Sequence, residues 1–201
     1  MKKASMFMLM IGMAAMTLTS CLNDDDDDTG LSKQEVETAY RTVAGPHSGK
    51  LKYVKSIENN KAKNDSVDAS CNFISDSVVT ISNVPVSQIA QYVQYNDSVK
   101  KYLALVPNQE LKCQTYYVKV SPVQIYVNPY LHNIDLHYGG KTHRLAIQFA
   151  YMNNYSYAAY LPATKEFELQ IIVQAVYVDP PTTGFGTNLI SVALPYYFQG
   201  N

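Results

Sequence analysis

The chain has 201 residues, 47% hydrophobic and 16% charged, with a formal net charge of −1. With Lys2, Lys3 and the run Asp24, Asp25, Asp26, Asp27 and Asp28 set aside, 14 basic residues stand against 12 acidic ones, too even a balance for the basic patch that nucleic acid requires. Residues 31–201 have the length of one domain with a sizeable core, so no second domain is expected.

In chain order, Lys2 and Lys3 precede a run from Ala4 to Leu18 that is apolar apart from Ser5, Gly12 and Thr17. That is a signal-peptide pattern over residues 1–20, and it is too short to cross a bilayer, which takes roughly 20 apolar residues. Leu18-Thr19-Ser20-Cys21 resembles a bacterial lipobox. The resemblance implies a mature chain that starts at Cys21 and carries diacylglycerol and fatty acyl groups there. Each buried CH₂ then contributes about 0.8 kcal/mol to anchoring in the outer membrane. Asp24-Asp25-Asp26-Asp27-Asp28 resembles the acidic export signal of Bacteroidota-type surface lipoproteins, which implies exposure at the cell surface. Five like charges also repel one another, so residues 21–30 read as a solvated tether.

Ser32 with Glu35 forms a capping box, and Val36, Ala39, Tyr40 and Val43 make an apolar stripe at helical spacing that Gly45-Pro46 stops. The period then drops to two through Leu51, Tyr53 and Ile57. A polar loop over 58–65 is expected to turn this strand into a second from Val67 to Phe73. After a strand from Val78 to Ile81 come two helical turns, one over Ser87 to Val93 and one from Asp97 that ends at Pro107. Strands follow over Leu111 to Val120 and Val123 to Val127, with Pro122 marking an edge or bulge. Gly139-Gly140 supplies the positive φ angles of a two-residue hairpin turn. Pairing Tyr138 with Lys141 sets Asp135 against Arg144, Ile134 against Leu145 and Leu136 against His143, so charge meets charge and apolar meets apolar. Glu166 to Ala175 alternates cleanly, and a last strand is expected over Leu189 to Phe198. The fold class is therefore mainly β: an antiparallel β-sandwich, or alternatively a lipocalin-like barrel, with an N-terminal helix and a short helical insertion.

Catalytic signatures are absent from this sequence. In the hairpin register His132 and His143 stand four positions apart, on the order of 13 Å, which is too far for a shared metal. Glu166 and Glu168 read as alternate wet positions of one strand. Gly184-Phe185-Gly186 lacks the third glycine of a dinucleotide loop. No metal, no cofactor and no enzymatic activity are expected. Cys71 and Cys113 form an even pair in an exported chain, so a disulfide is permitted, although the alternation around Cys71 also suits a buried thiol.

Two features stand out from this background. The chain has 17 tyrosines and no tryptophan, and Tyr151, Tyr155, Tyr157 and Tyr160 crowd together as a candidate loop for binding a glycan or a protein. Asp65-Ser66-Val67, Asp76-Ser77-Val78 and Asp97-Ser98-Val99 resemble the O-glycosylation acceptor of exported Bacteroidota-type proteins, which makes Ser66, Ser77 and Ser98 candidate acceptors. The same triplets suit strand starts and a helix cap.

Ala39-Tyr40, Gly45, Gly49-Lys50-Leu51, Val84-Pro85-Val86, Gly139-Gly140-Lys141 and Ile147-Gln148-Phe149 carry a wider resemblance. Across most of the mature chain it is similar to an uncharacterised family of outer-membrane lipoproteins, which implies a β-rich surface domain and assigns no catalytic residue. The expected function is a surface-exposed binding or envelope-assembly module. A β-cavity carrier of a small apolar ligand is the alternative, and an envelope hydrolase ranks last.

Overall fold

The computed structural model describes residues 30–58, 61–151, 155–184 and 186–201. The signal segment, the lipidation candidate Cys21 and the export-signal candidates Asp24, Asp25, Asp26, Asp27 and Asp28 lie outside the described residues. Helix α1 (Lys33–Val43) starts at the expected box, where Ser32 Oγ accepts from the Glu35 N–H and the Glu35 carboxylate accepts from the Ser32 N–H at 2.9 Å.

Strands β1 (Gly45–Glu58), β2 (Lys61–Ser75) and β3 (Val78–Val84) follow. Next come a 3-10 helix, Val86–Tyr92, and α2 (Asp97–Leu103), then β4 (Gln109–Val120) and β5 (Val123–Pro129). A hairpin of β6 (His132–Tyr138) and β7 (Lys141–Phe149) leads to β8 (Tyr157–Leu161), β9 (Glu166–Val178) and β10 (Leu194–Gly200). The hairpin has the register read from its charges, with Asp135 opposite Arg144 and Leu136 opposite His143. Cap and strand boundaries depart from expectation in four places. Asn96, not Asp97, caps α2. The polar stretch over 61–65 is strand. Asp65-Ser66-Val67 sits inside β2, not at its start, and the last strand begins at Leu194.

The β-sandwich expectation is corrected, because the strand pairing runs β10-β1-β2-β3-β4-β5-β8-β9 and returns to β10. These eight antiparallel strands form a closed barrel, as in the alternative reading. Closure depends on β8, a strand that sequence reading left as loop. It pairs with β5 on one side and β9 on the other, and β9 pairs with β10 along its second edge. A sheet closed on itself has no separate layers to stack. Strands β6 and β7 extend the sheet past the ring, β7 taking the C-terminal half of β9.

Alternation along each strand turns one set of side chains inward. Leu51, Phe198, Leu169, Ala158, Ile125 and Tyr117 fall opposite one another in sequence around the ring, and all are buried. Phe167 packs edge-on to Phe73 at 5.1 Å and lies 6.3 Å from Phe198, while His47 stacks on Phe167 at 4.8 Å. Each such buried phenylalanine contributes about 1.5–3 kcal/mol. Side chains fill the interior, and both mouths are covered. Helix α1 buries Ala39 and Val43 where β1 begins. At the other end the segment between β3 and β4 buries Val86, Ile89, Val99 and Leu103, and Tyr196 donates to the Pro85 carbonyl at 3.2 Å.

Cys71 and Cys113 are buried free thiols, so the permitted disulfide is corrected as well. Strand β3 runs between their strands, Ile81 lying opposite Cys71 and Val79 opposite Cys113. Two strand spacings, about 9.6 Å, exceed the roughly 7 Å that bridged Cα atoms can span. Burial pushes both thiols up, which leaves neither as a nucleophile.

The seam between β1 and β10 pairs Gly49 with Gly200. A methyl group at position 49 would overlap the Gln199 carbonyl oxygen and the Gly200 Cα, backbone atoms that cannot swing away. Gly49→Ala is expected to cost about 1–3 kcal/mol, read as a lower urea midpoint at unchanged slope.

A column of stacked groups ties α2 to the hairpin. Lys101 Nζ stands 5.6 Å from the Tyr102 ring, Tyr102 stacks on Tyr138 at 5.2 Å, and Tyr138 stacks on His143 at 3.9 Å. His143 Nδ1 donates to Asp179 Oδ2 at 2.6 Å, and Asp179 also accepts from the Arg144 N–H at 2.9 Å. The His143 bond, ahead of every other cause, holds the Asp179 carboxyl below its usual range. A lowered carboxyl stabilises the fold above its unfolded pKa, and that contribution disappears as pH falls through the folded value. Asp179→Asn is expected to cost about 0.5–1 kcal/mol at pH 7, an exposed-pair magnitude. Thermal melts should show the gap to wild type closing below about pH 4. A gap that stays constant to pH 2 would remove Asp179 from this role.

Candidate functional site

The same alternation that fills the barrel turns the other set of side chains outward. Tyr116 lies opposite Tyr126 and Tyr126 opposite Tyr157. Tyr157 lies opposite Gln170, Gln170 opposite Tyr197, and Tyr197 opposite Lys52. All six are half-buried, and together they make one unbroken row across six strands of the outer wall. At about 4.8 Å per strand the row is about 24 Å long.

A second row runs alongside it, with Ala159 opposite Glu168, Glu168 opposite Gln199, Gln199 opposite Lys50, and Lys50 opposite Asp68. The two rows bond to each other. Lys52 Nζ donates to Gln199 Oε1 at 3.0 Å and stands 5.7 Å from the Tyr197 ring. Lys50 pairs with Asp68 at 2.6 Å. Partial burial raises the Tyr197 hydroxyl first, with the neighbouring Glu168 carboxylate adding to the effect. Burial, then the Glu168 charge, raises Tyr157 likewise. Both phenols stay neutral and keep donor and acceptor capacity at physiological pH.

Beyond Asp68 the wall opens into a polar groove, because β3 turns away from β2 after Ile81. Two side chains stand in for the missing backbone pairing. Ser82 Oγ accepts from the Ser70 N–H at 2.8 Å, and Asn83 Nδ2 donates to the Asp68 carbonyl at 2.6 Å. Asn83 adopts the left-handed conformation to do so, with φ 59°.

The candidate tyrosine loop divides. Tyr151 and Tyr155 are exposed, Tyr151 lies near Tyr116, and Tyr157 is part of the row. Tyr160 lies opposite Phe167 and packs against the core instead. Ser66, Ser77 and Ser98 are all exposed, in β2, in the turn before β3 and in α2 respectively. Glu166 and Glu168 lie on the outer wall, as alternate wet positions should. His132 is half-buried, and burial lowers its pKa. Among the described residues no group of three His, Cys, Asp or Glu gathers to hold a metal, and no helix is long and apolar enough to cross a membrane.

Sequence reading missed Tyr116, Tyr126, Tyr197, Gln170 and Lys52 as members of one site. Their outward phase was legible from alternation within each strand. Their adjacency was not, since it needs the strand order.

No curated protein and no solved structure matches the chain. Residues 42–178, more than half of it, match the family described as a domain of unknown function, DUF4840. With its barrel and outer wall inside or directly beside that span, the chain belongs to the DUF4840 family.

Proposed function

We propose that this protein is a surface-exposed outer-membrane lipoprotein, moored through acylated Cys21, that binds an extended ligand on the outer wall of its barrel. The row from Tyr116 to Lys52 carries this reading, since it sets four aromatic rings and hydrogen-bonding groups in one line on a rigid sheet. Ligand sites combine apolar and aromatic surface with a few placed polar groups, and this wall supplies both. The packing of Phe73, Phe167 and Phe198 argues against the β-cavity carrier, because the interior volume is already taken. Glu166 and Glu168 give the hydrolase reading little support, as both stand half-exposed on an open wall that does not exclude water.

The lipobox-like Leu18-Thr19-Ser20-Cys21 and the acidic run Asp24-Asp25-Asp26-Asp27-Asp28 after it support the location. The described chain begins at Gly30, just before helix α1, which buries Ala39 and Val43 where β1 begins, whereas the tyrosine row lies on the barrel's flank. Mass spectrometry of the envelope-bound protein is expected to give an N-terminal peptide that starts at Cys21 and carries acyl chains. Protease added to intact cells should remove the wild type and spare a variant in which Asp24, Asp25, Asp26, Asp27 and Asp28 are all changed to asparagine. A protected wild type, or a bare N terminus at another residue, would overturn the assignment.

A further inference from the structure

Resting on the outer-wall reading, we infer that the ligand is an uncharged polysaccharide chain lying along the tyrosine row. The row's length of about 24 Å suits several linked sugars better than one. Pyranose rings present C–H faces that pack on aromatic rings, and hydroxyl edges that need donors and acceptors together. The wall supplies both: Tyr116, Tyr126 and Tyr157 are consecutive rings, Tyr157 and Tyr197 flank Gln170, and Glu168 and Gln199 stand directly beside it. Each of these residues projects from a strand paired on both edges, so the platform is set before the ligand arrives.

The charges point to a neutral polymer. Lys50 is paired with Asp68, Lys52 is engaged by Gln199 and the Tyr197 ring, and Glu168 stands one register step from Tyr197, directly opposite Gln199. An acidic polymer would need cations not already committed to the wall. A protein partner would call for a core depleted of charge, whereas here Lys52 ends the row and Glu168, Gln199 and Lys50 run beside its Gln170–Lys52 half. The groove walled by Ser70, Ser82 and Asn83 continues the second row past Asp68, giving a chain a polar path beyond the last ring.

The test is electrophoresis of the full chain in detergent through native gels cast with a β-glucan, an α-glucan, a xylan, a mannan or polygalacturonate. At least one neutral polymer is expected to retard the protein. Tyr157→Ala with Tyr197→Ala should weaken that retardation about tenfold, while Ile57→Ala, a change to an exposed residue away from the row, leaves it unchanged. If the double variant melts lower than wild type, Tyr116→Ala serves instead, with about a threefold loss expected. The inference is overturned if none of the neutral polymers retards the protein, or if polygalacturonate does so more strongly. A photo-crosslinker at position 157 that joins a protein on intact cells would overturn the glycan and leave the outer-wall reading standing. Retardation by a neutral polymer that survives every tyrosine change would overturn the wall itself.

Discussion

Strand β9 is hydrogen-bonded along both edges, and the rest of the barrel depends on that double pairing. Its first half joins β8 on one side and β10 on the other, and its second half carries β7. Remove either edge and the eight-strand ring opens into a sheet with two unpaired borders, each a template for aggregation. Closure also decides what faces where. Once the ring is shut, one set of alternating side chains is committed to the core, and the other becomes a continuous outer wall on which the tyrosines of four different strands align.

Features set by neighbours in sequence were legible before the structure. The Ser32–Glu35 box, the Gly139-Gly140 turn and the Asp135–Arg144 register each involve residues that meet across short stretches of chain, so local chemistry alone specifies them. Strand β8 was not legible. Tyr157-Ala158-Ala159-Tyr160 places tyrosine and alanine on both faces, so no wet and dry alternation marks it, and without it a β-sandwich was the natural reading. The stretch over 61–65 failed for a related reason. There the β1–β2 ribbon runs past the end of β3's pairing, so its polar residues are the exposed walls of a strand and not a loop.

The candidate site was legible residue by residue but not as a site. Its tyrosines come from β4, β5, β8 and β10, and only the ring brings them side by side. Of the crowded loop tyrosines, Tyr151 and Tyr155 are exposed and Tyr157 falls on the same outer wall as Tyr116, Tyr126 and Tyr197. The rings of the row sit on paired strands, where backbone hydrogen bonding fixes their spacing.

The Gly49–Gly200 seam joins the beginning of the barrel to its end, across nearly the whole length of the described chain. A polypeptide emerging from a ribosome or a membrane channel can form the β1–β2 and β6–β7 hairpins early, because their partners are close at hand. It cannot lock the second edge of β1 in place until the seven-residue β10 is available. The ring therefore cannot close until β10, far along the chain from β1, is available to pair with both β1 and β9.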